Sequence, residues 1–352
     1  MLNKISVLIV TFKGNDLLSN ALNSINKIDP DNKLEIIVVD NSPDERTKSL
    51  VASFANARYF AHPAPTLHSS SCNSSHIMPW HGNPGFAGGN NFGWHFCTRP
   101  YVLLLNNDTI VHSADSFTTL VEFMETHPTC GAAQGTITIS QIGNCLGGLG
   151  GYMTTFGFHS AIGLFTKRED EPGLAETAAS RFSASGAYLM IRRSAVVAAG
   201  GFLFRSFFWC YYEEVDLCHR LWLAGYEVWY VPTEPVDHIM GQTSGKMKHG
   251  NVMTKYLENQ YFSLLTCLDS KLRGVIIPRY NFILIAYGAY HFLRGNRSMS
   301  HAAISALTVP LKLRKRVLAA RRQIQRIRKV SDKTLKPYII RKPSLHEIFR
   351  KL

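Results

Sequence analysis

The 352-residue sequence has few cysteines and no pattern in their placement. The seven, at positions 72, 97, 130, 145, 210, 218 and 267, are odd in number and contain no CxxC pair. That argues against a disulfide framework and for a reducing compartment. No GxGxxG follows the first strand-like run, and GxxxxGK followed by Ser or Thr occurs nowhere. Neither a dinucleotide fingerprint nor a P-loop is therefore supported. Long apolar runs are also missing. The most apolar stretch, 275–292, is interrupted by Pro278, Arg279 and Asn281, and its clean part, 282–290, is too short to span about 30 Å of hydrocarbon. Strand patterning begins within a few residues of Met1, so no signal peptide is expected.

Acidic residues are scarce at one end. Residues 311–352 carry 15 Lys/Arg against Asp332 and Glu347, which accounts for the whole net charge of +13 and leaves a neutral body. A basic tail on a neutral body reads as an attachment to an anionic surface, either membrane or nucleic acid. Hydrophobic residues make up 45% of the chain, enough for a sizeable core, and the length allows two domains or one large domain with an appendage.

The clearest stretch is 101–111, Tyr-Val-Leu-Leu-Leu-Asn-Asn-Asp-Thr-Ile-Val. Its apolar run predicts a strand buried on both faces, as in a parallel sheet. Asn106-Asn107-Asp108 predicts the exit from that sheet. Ligands of open α/β sheets bind outside the carboxyl ends of strands, so Asp108 stands where a ligand or a hard cation is met. The plainer alternative is a turn in which Asp108 caps a following helix. Upstream, 5–10 and 34–39 read as strands around a helix bearing Leu18, Ala21, Leu22 and Ile25, a β-α-β unit with a parallel pair. Asp40 ends the second strand, where an acid can bind a nucleoside or else cap the helix beginning near Asp44.

Residues 61–82 hold His62, His68, Cys72, His76 and His81 in no ligand spacing worth assigning, and read as a mobile surface loop. In 83–93, Asn-Pro-Gly-Phe-Ala-Gly-Gly-Asn-Asn-Phe-Gly, glycines and asparagines around Phe86 suggest a loop whose N–H groups cradle phosphate before a helix, or a tight β-to-α connection. Residues 147–157 read as a glycine-rich loop and 182–191 as a strand. The second dense constellation is 207–220, where Glu213, Glu214 and Asp216 follow a cluster of aromatics. Like charges held close and partly buried raise one another's pKa, which suits a general base, and aromatics suit a sugar-stacking wall. Acids at a helix start also simply suit its dipole. His238 follows a strand and can reach the same sheet edge as Asp108.

Taken in order, 7–11 (VLIVT), 37–42 (IVVDNS), 83–91, 104–108 (LLNND), 200–202 (GGF), 213–217 (EEVDL) with Arg220 and Gly225, and His238 with Gly241 and Ser244 resemble the family 2 inverting glycosyltransferases of GT-A fold. The nearest likeness is to the rhamnosyltransferase-like branch of bacterial surface-polysaccharide and O-antigen synthesis. The resemblance covers about 4–245. It implies an α/β fold with a GT-A type, mixed, mostly parallel nucleotide-binding sheet flanked by helices over 1–245, followed by a helical basic extension over 246–352. It also implies a nucleotide-sugar donor, dTDP-rhamnose or a UDP-sugar, and a divalent cation, Mg²⁺ or Mn²⁺, held by Asp108 and His238. Thr11, Asp40, Asn83, Gly85, Phe86, Gly89, Asn90 and Asn107 are then the donor-binding residues. Glu214 is the general base, with Glu213 and Asp216 as second choices. Two departures stand out. Asn106 replaces the first acid of the family's Asp-x-Asp motif, and Phe202-Leu203-Phe204 stands where relatives often have Gly-Gly-Phe-Asp-Glu.

Beyond 251 the pattern is mostly helical. Residues 311–330 set Leu313, Val317, Leu318, Ile324 and Ile327 among nine basic residues, predicting an amphipathic helix on anionic lipid. A lipid-linked saccharide acceptor at the inner face of the cell membrane, reached from the cytoplasm, would account for such an anchor. Binding of nucleic acid is not expected, because the body is neutral and the tail does not interleave aromatics with its basic residues. A non-catalytic scaffold of a polysaccharide assembly complex is the remaining alternative, kept open by Asn106.

Overall fold

The computed structural model describes residues 1–63, 83–143, 145–171, 173–240 and 249–340. Most of the predicted histidine-rich loop, Gly241, Ser244 and the last basic residues lie outside that set. In chain order the first half holds β1 (Ile5–Thr11), α1 (Asn15–Ile28), β2 (Glu35–Asp40), α2 (Glu45–Ala52), β3 (Ala57–Ala61), α3 (Gly85–Trp94), β4 (Tyr101–Leu105), β5 (Thr109–Val111), α4 (Asp115–Thr126), β6 (Cys130–Gln134), β7 (Ile137–Ile139), β8 (Cys145–Gly147), β9 (Gly151–Thr154), β10 (His159–Ala161), β11 (Leu164–Lys167) and β12 (Ala179–Ser180). Then come β13 (Tyr188–Arg192), α5 (Arg193–Ala198), α6 (Glu213–Leu223), β14 (Glu227–Tyr230), β15 (Val236–His238), α7 (His249–Cys267), α8 (Ser270–Leu293), α9 (Arg297–Lys312), α10 (Arg314–Ile327) and β16 (Ile339–Ile340).

The main sheet runs β12-β14-β6-β13-β4-β1-β2-β3. Its pairs β4-β1, β1-β2, β2-β3 and β14-β6 are parallel, and the pairs made by β13 and β12 are antiparallel. Alternate residues of each strand face opposite sides. Leu8, Val39, Val102, Leu104 and Ile191 enter one apolar cluster, while Val7, Ile9, Val38, Leu103 and Met190 enter the other with Leu18, Leu22, Phe117 and Leu120 of α1 and α4. The strands are therefore buried on both faces, as their continuous apolar runs require. A five-stranded sheet, β11-β8-β7-β15-β5, and a three-stranded one, β10-β9-β16, lie beside it.

Several expectations are corrected. The glycine-rich segment after Asn83 is itself a helix, α3, rather than a loop before one. Residues 147–157 contain the end of β8 and all of β9, and the strand expected over 182–191 begins only at Tyr188. Asp108 caps no helix, because β5 follows it, and the cap of α2 is Asp44, whose side chain accepts from Arg46 N–H. His238 is the last residue of a strand. Pro278 does not end α8: the carbonyl it leaves unpaired is that of Gly274, on an exposed side where water reaches it. Residues 311–330 are not one helix. They include the end of α9 and all of α10. Val317 and Ile324 are buried, and Arg321 Nη1 donates to the carbonyls of Leu265 and Leu268, at 3.1 and 2.6 Å. The basic helix thus caps the carbonyl end of α7, the placement its charge favours. The change at about 245 is a change to helix without a break in the core, since Leu8 and Val102 share a cluster with Leu257, Tyr280 and Ala302.

Candidate active site

Three parallel strands end at one edge. Thr11 of β1 pairs with Asp40 of β2, and β4 stops beside them at Leu105. The turn Asn106-Asn107-Asp108 is then fixed from several sides. Asn107 Nδ2 donates to Thr11 Oγ1 at 3.0 Å. Asn106 N–H donates to the Ala187 carbonyl at 3.0 Å, and the Asp108 carbonyl accepts from Ile239 N–H at 2.8 Å. Antiparallel pairing of β15 with β5 sets His238 opposite Thr109, so the imidazole lies over the turn.

The side chains meet in an unusual way. Asp108 Oδ1 is 3.1 Å from His238 Nε2, and Asn106 Nδ2 is 3.2 Å from the same nitrogen. One imidazole nitrogen thus lies within hydrogen-bond distance of both the Asn106 amide and the Asp108 carboxylate. Asp108 Oδ1 is buried and makes no hydrogen bond. A carboxylate oxygen and a side-chain amide thus converge within 3.2 Å of an imidazole nitrogen, donor types that a divalent cation accepts. Among the described residues no group of three or more His, Cys, Asp or Glu could hold a metal. A hard cation here would complete its shell from the Asn106 amide oxygen, water and phosphate oxygens, which is how Mg²⁺ and Mn²⁺ commonly bind.

The acid cluster stands next to this turn. Gly186 precedes Ala187, the partner of Asn106, and a Cβ on Gly186 would lie 3.6 Å from Glu214 Cβ and 3.4 Å from Phe86 Cε1. Glu213 and Glu214 open α6 directly after Tyr211 and Tyr212, which hold φ of +68° and +71°. Such left-handed non-glycine residues cost roughly 1–3 kcal/mol each and collect at functional sites. Burial raises the Glu214 carboxyl to about 7. Burial, and then the Glu214 charge, push the Glu213 carboxyl well above the usual range, and its Oε2 is buried without a hydrogen bond. Glu214 is the less buried of the two.

Asp216 belongs to a different arrangement. Arg205 Nε donates to its Oδ1 at 2.9 Å and Arg220 Nε to its Oδ2 at 2.8 Å, with all three side chains buried. Burial alone would raise its pKa, but the two guanidinium groups outweigh that and lower it to about 2. Arg220 also donates to the carbonyls of Ala199, Phe202 and Leu203 and lies 4.1 Å from the Phe202 ring centroid. The segment 202–204 is therefore packed around a buried ion triad. Asp216 organises this structure and has no lone pair directed at a ligand, so it drops out as a candidate base.

The glycine-asparagine motif is also mostly internal. Gly85 N–H donates to Asn83 Oδ1 at 2.8 Å and Ala87 N–H to the Trp209 carbonyl at 3.2 Å, so amides expected to face phosphate are used within the chain. A Cβ on Gly85, whose φ is +74°, would fall 2.2 Å from that Trp209 carbonyl oxygen. Gly89 packs on Val10 and Asn41, and Asn90 Nδ2 donates to the Phe86 carbonyl at 2.9 Å within the helix. Phe86 is partly exposed and sits at the Glu214 end of the edge. Asp40 is buried, with Oδ1 accepting from Ser42 N–H at 2.8 Å and Oδ2 from Tyr59 O–H at 3.2 Å. Sequence reasoning missed Tyr59, Gly186, Arg205 and Trp209, because each becomes a partner only through pairing distant in the chain.

Residues 6–196, more than half of the chain, match the family described as Glycosyl transferase family 2. The chain belongs to that family. Among solved structures, this family 2 chain is similar to GalNAc-T7 with UDP, GalNAc and Mn²⁺, at 17% identity and a TM-score of 0.56 over 76% of this chain and 48% of that one. It thus spans about half the length of GalNAc-T7. The mannosyltransferase PcManGT of Pyrobaculum calidifontis, in complex with GDP-Man and Mn²⁺, has 13% identity and a TM-score of 0.51, covering 88% of this chain and 87% of that one. S. aureus TarS residues 1–349 have 14% identity and a TM-score of 0.51, covering 95% and 92%. The architecture of the family 2 chain is thereby that of GT-A glycosyltransferases. No curated protein matches the sequence.

Proposed function

We propose that the protein transfers a sugar, with inversion, from a nucleoside-diphosphate sugar to a hydroxyl of a growing, lipid-linked glycan in surface-polysaccharide or O-antigen synthesis. The observation that carries the reading is the adjacency of two unlike sites at one sheet edge. One is a carboxylate and an imidazole 3.1 Å apart beside an amide, and the other is a pair of buried carboxyls whose pKa values burial has raised. UDP with Mn²⁺ in GalNAc-T7, and GDP-Man with Mn²⁺ in the mannosyltransferase, support a nucleotide donor and a divalent cation. A dTDP-rhamnose or UDP-sugar donor is the more specific reading.

Asp108, His238 and Asn106 would hold the cation, which supplies charge neutralisation to a departing diphosphate. Thr11 and Asn107 fix the turn under the diphosphate, and Asp40 shapes the nucleoside end through Ser42 and Tyr59. Glu214 accepts the proton as the acceptor oxygen forms its bond to the anomeric carbon. The bond from that carbon to the phosphate oxygen breaks on the opposite face, and the electron pair leaves with the diphosphate. A carboxyl near 7 suits a base acting at neutral pH. Burial and the neighbouring Glu214 favour the uncharged form of Glu213, which limits the negative charge beside the base. Among the described residues no helix is long and apolar enough to cross a membrane. A peripheral position on the cytoplasmic membrane face is the accompanying proposal.

Screening nucleotide sugars for Mn²⁺- or Mg²⁺-dependent release of nucleoside diphosphate tests this, with Asp108→Ala and Glu214→Gln alongside. Turnover of one donor, lost in both variants, is expected. Absence of donor binding and of turnover by the wild type across the panel would leave the chain as a scaffold instead.

A further inference from the structure

The basic helix assigned to lipid from sequence is docked on α7, but the neighbouring hairpin leaves an apolar face uncovered. On α8 the residues Val275, Pro278, Phe282, Ile285, Ala289 and Phe292 follow one another at steps of three and four and are all exposed. That spacing places them in one stripe. Phe282, Ile285 and Phe292 are 63, 60 and 67% exposed, while Ile276, Tyr280, Ile283 and Tyr287 on the other side are buried in the core. α9 returns antiparallel after the short turn at Arg294, Gly295 and Asn296, and adds Ile304 and Leu311, 56 and 80% exposed. Between the two helices lies a groove of about 300 Å³, lined by Ile285, Gly288, Phe292, Ile304 and Leu307 among others. An apolar surface of this size is unusual on a protein that meets only water.

Charge says what covers it. Residues 270–331 contain 14 Lys/Arg and no Asp or Glu. Arg294 and Arg297 flank the hairpin turn, and Lys312, Arg314 and Lys315 follow the other end of α9, so basic residues bracket the apolar stripe at both ends. A second copy seated face to face would bring like charges together with no acid to pair them. An anionic bilayer supplies both the hydrocarbon and the phosphates. Arginine and lysine stems reach along apolar surface while their heads stay at the headgroup level, and Tyr290 suits the same boundary.

We propose that the α8–α9 hairpin is the membrane-docking face, inserting Phe282, Ile285 and Phe292 into the headgroup–acyl boundary of an anionic leaflet with Arg294 and Arg297 on lipid phosphate. This rests on the membrane placement proposed above and not on sugar transfer. Flotation of the full-length protein with vesicles, without donor or acceptor, tests it. The lipid is phosphatidylcholine alone or with about a third phosphatidylglycerol. Wild type floats with the anionic vesicles and much less with the neutral ones. Phe282→Ser/Ile285→Ser/Phe292→Ser lowers the partition at least tenfold with little change in the thermal transition, since these side chains are mostly exposed. Arg294→Gln/Arg297→Gln lowers it severalfold, and added salt removes only that part. Failure of wild type to float, equal flotation of the triple variant, or a concentration-dependent dimer abolished by the triple variant without vesicle binding would overturn it. Activity on a soluble acceptor is read separately and reports on the catalytic proposal alone.

Discussion

Asn259 on α7 donates through Nδ2 to the carbonyls of Cys210 and Tyr211, at 3.1 and 2.8 Å. One amide therefore holds the turn in which Tyr211 and Tyr212 take left-handed backbone conformations before Glu213 and Glu214. A strained turn persists only where its surroundings fix it. The C-terminal helices thereby help to position the proposed base, although none of their residues is proposed to touch the donor. Asn259→Ala should leave two carbonyls without their partner, cost about 1–3 kcal/mol in urea unfolding, and lower kcat more than KM for the donor. Asn259→Asp, which cannot donate, should behave likewise. Normal kcat in both would show that the turn does not depend on α7.

Asp216 predicts the opposite kind of effect. Removing one member of a buried ion pair leaves the others uncompensated, so Asp216→Asn should destabilise the protein by about 3–5 kcal/mol in urea or thermal unfolding. The sign with pH follows from its lowered pKa. The stabilisation is fully present above the unfolded value of 3.8 and is lost as pH falls through about 2. The acid limb of the stability curve should therefore flatten in the variant. A variant as stable as wild type would deny the triad its structural role.

The sheet, its parallel pairs and the turn carrying Asp108 were legible in the sequence, because they rest on local apolar runs and on residues that break strands. The nature of 83–93 was not. Glycines and asparagines there suggested free backbone amides, but the helix needs them for another reason. Trp209, more than a hundred residues away, packs where a Gly85 side chain would be. The three acids of 213–216 looked alike for the same reason: only the fold brings Arg205 to Asp216 and leaves Glu213 and Glu214 without a cation. The basic helix α10, expected to lie on lipid, packs its apolar side on the protein instead, because amphipathicity says that a side is apolar but not what it packs on.

The two raised carboxyls separate through their pH profiles. With its carboxyl near 7, Glu214 is a base only as pH rises through that value, so kcat/KM should rise over pH 6–8. Glu214→Gln should lose that limb along with a hundredfold or more of the rate, roughly the share a general base supplies. Glu213 is the more deeply buried of the two and its carboxyl is pushed up by burial and by Glu214, so Glu213→Gln should lower the rate through packing yet keep the limb at the same pH. A limb retained in Glu214→Gln and lost in Glu213→Gln would exchange their roles.

The last prediction concerns the missing acid. If the cation depends on Asp108 and His238 with only an amide from Asn106, restoring a carboxylate should strengthen its binding. Asn106→Asp removes the amide that lies 3.2 Å from His238 Nε2 and adds a second carboxylate beside the buried Asp108 Oδ1. Mn²⁺ titrated with nucleoside diphosphate present, followed by water proton relaxation, should show about tenfold tighter binding, and His238→Ala should show weaker binding by a similar factor. These factors are of the order that single ligand-shell changes produce. Both readouts are independent of turnover, so they hold even before the donor sugar is known. If Asn106→Asp binds Mn²⁺ no better and Asp108→Ala no worse than wild type, the facing carboxylate and imidazole are a structural contact, and the cation is held elsewhere or not used.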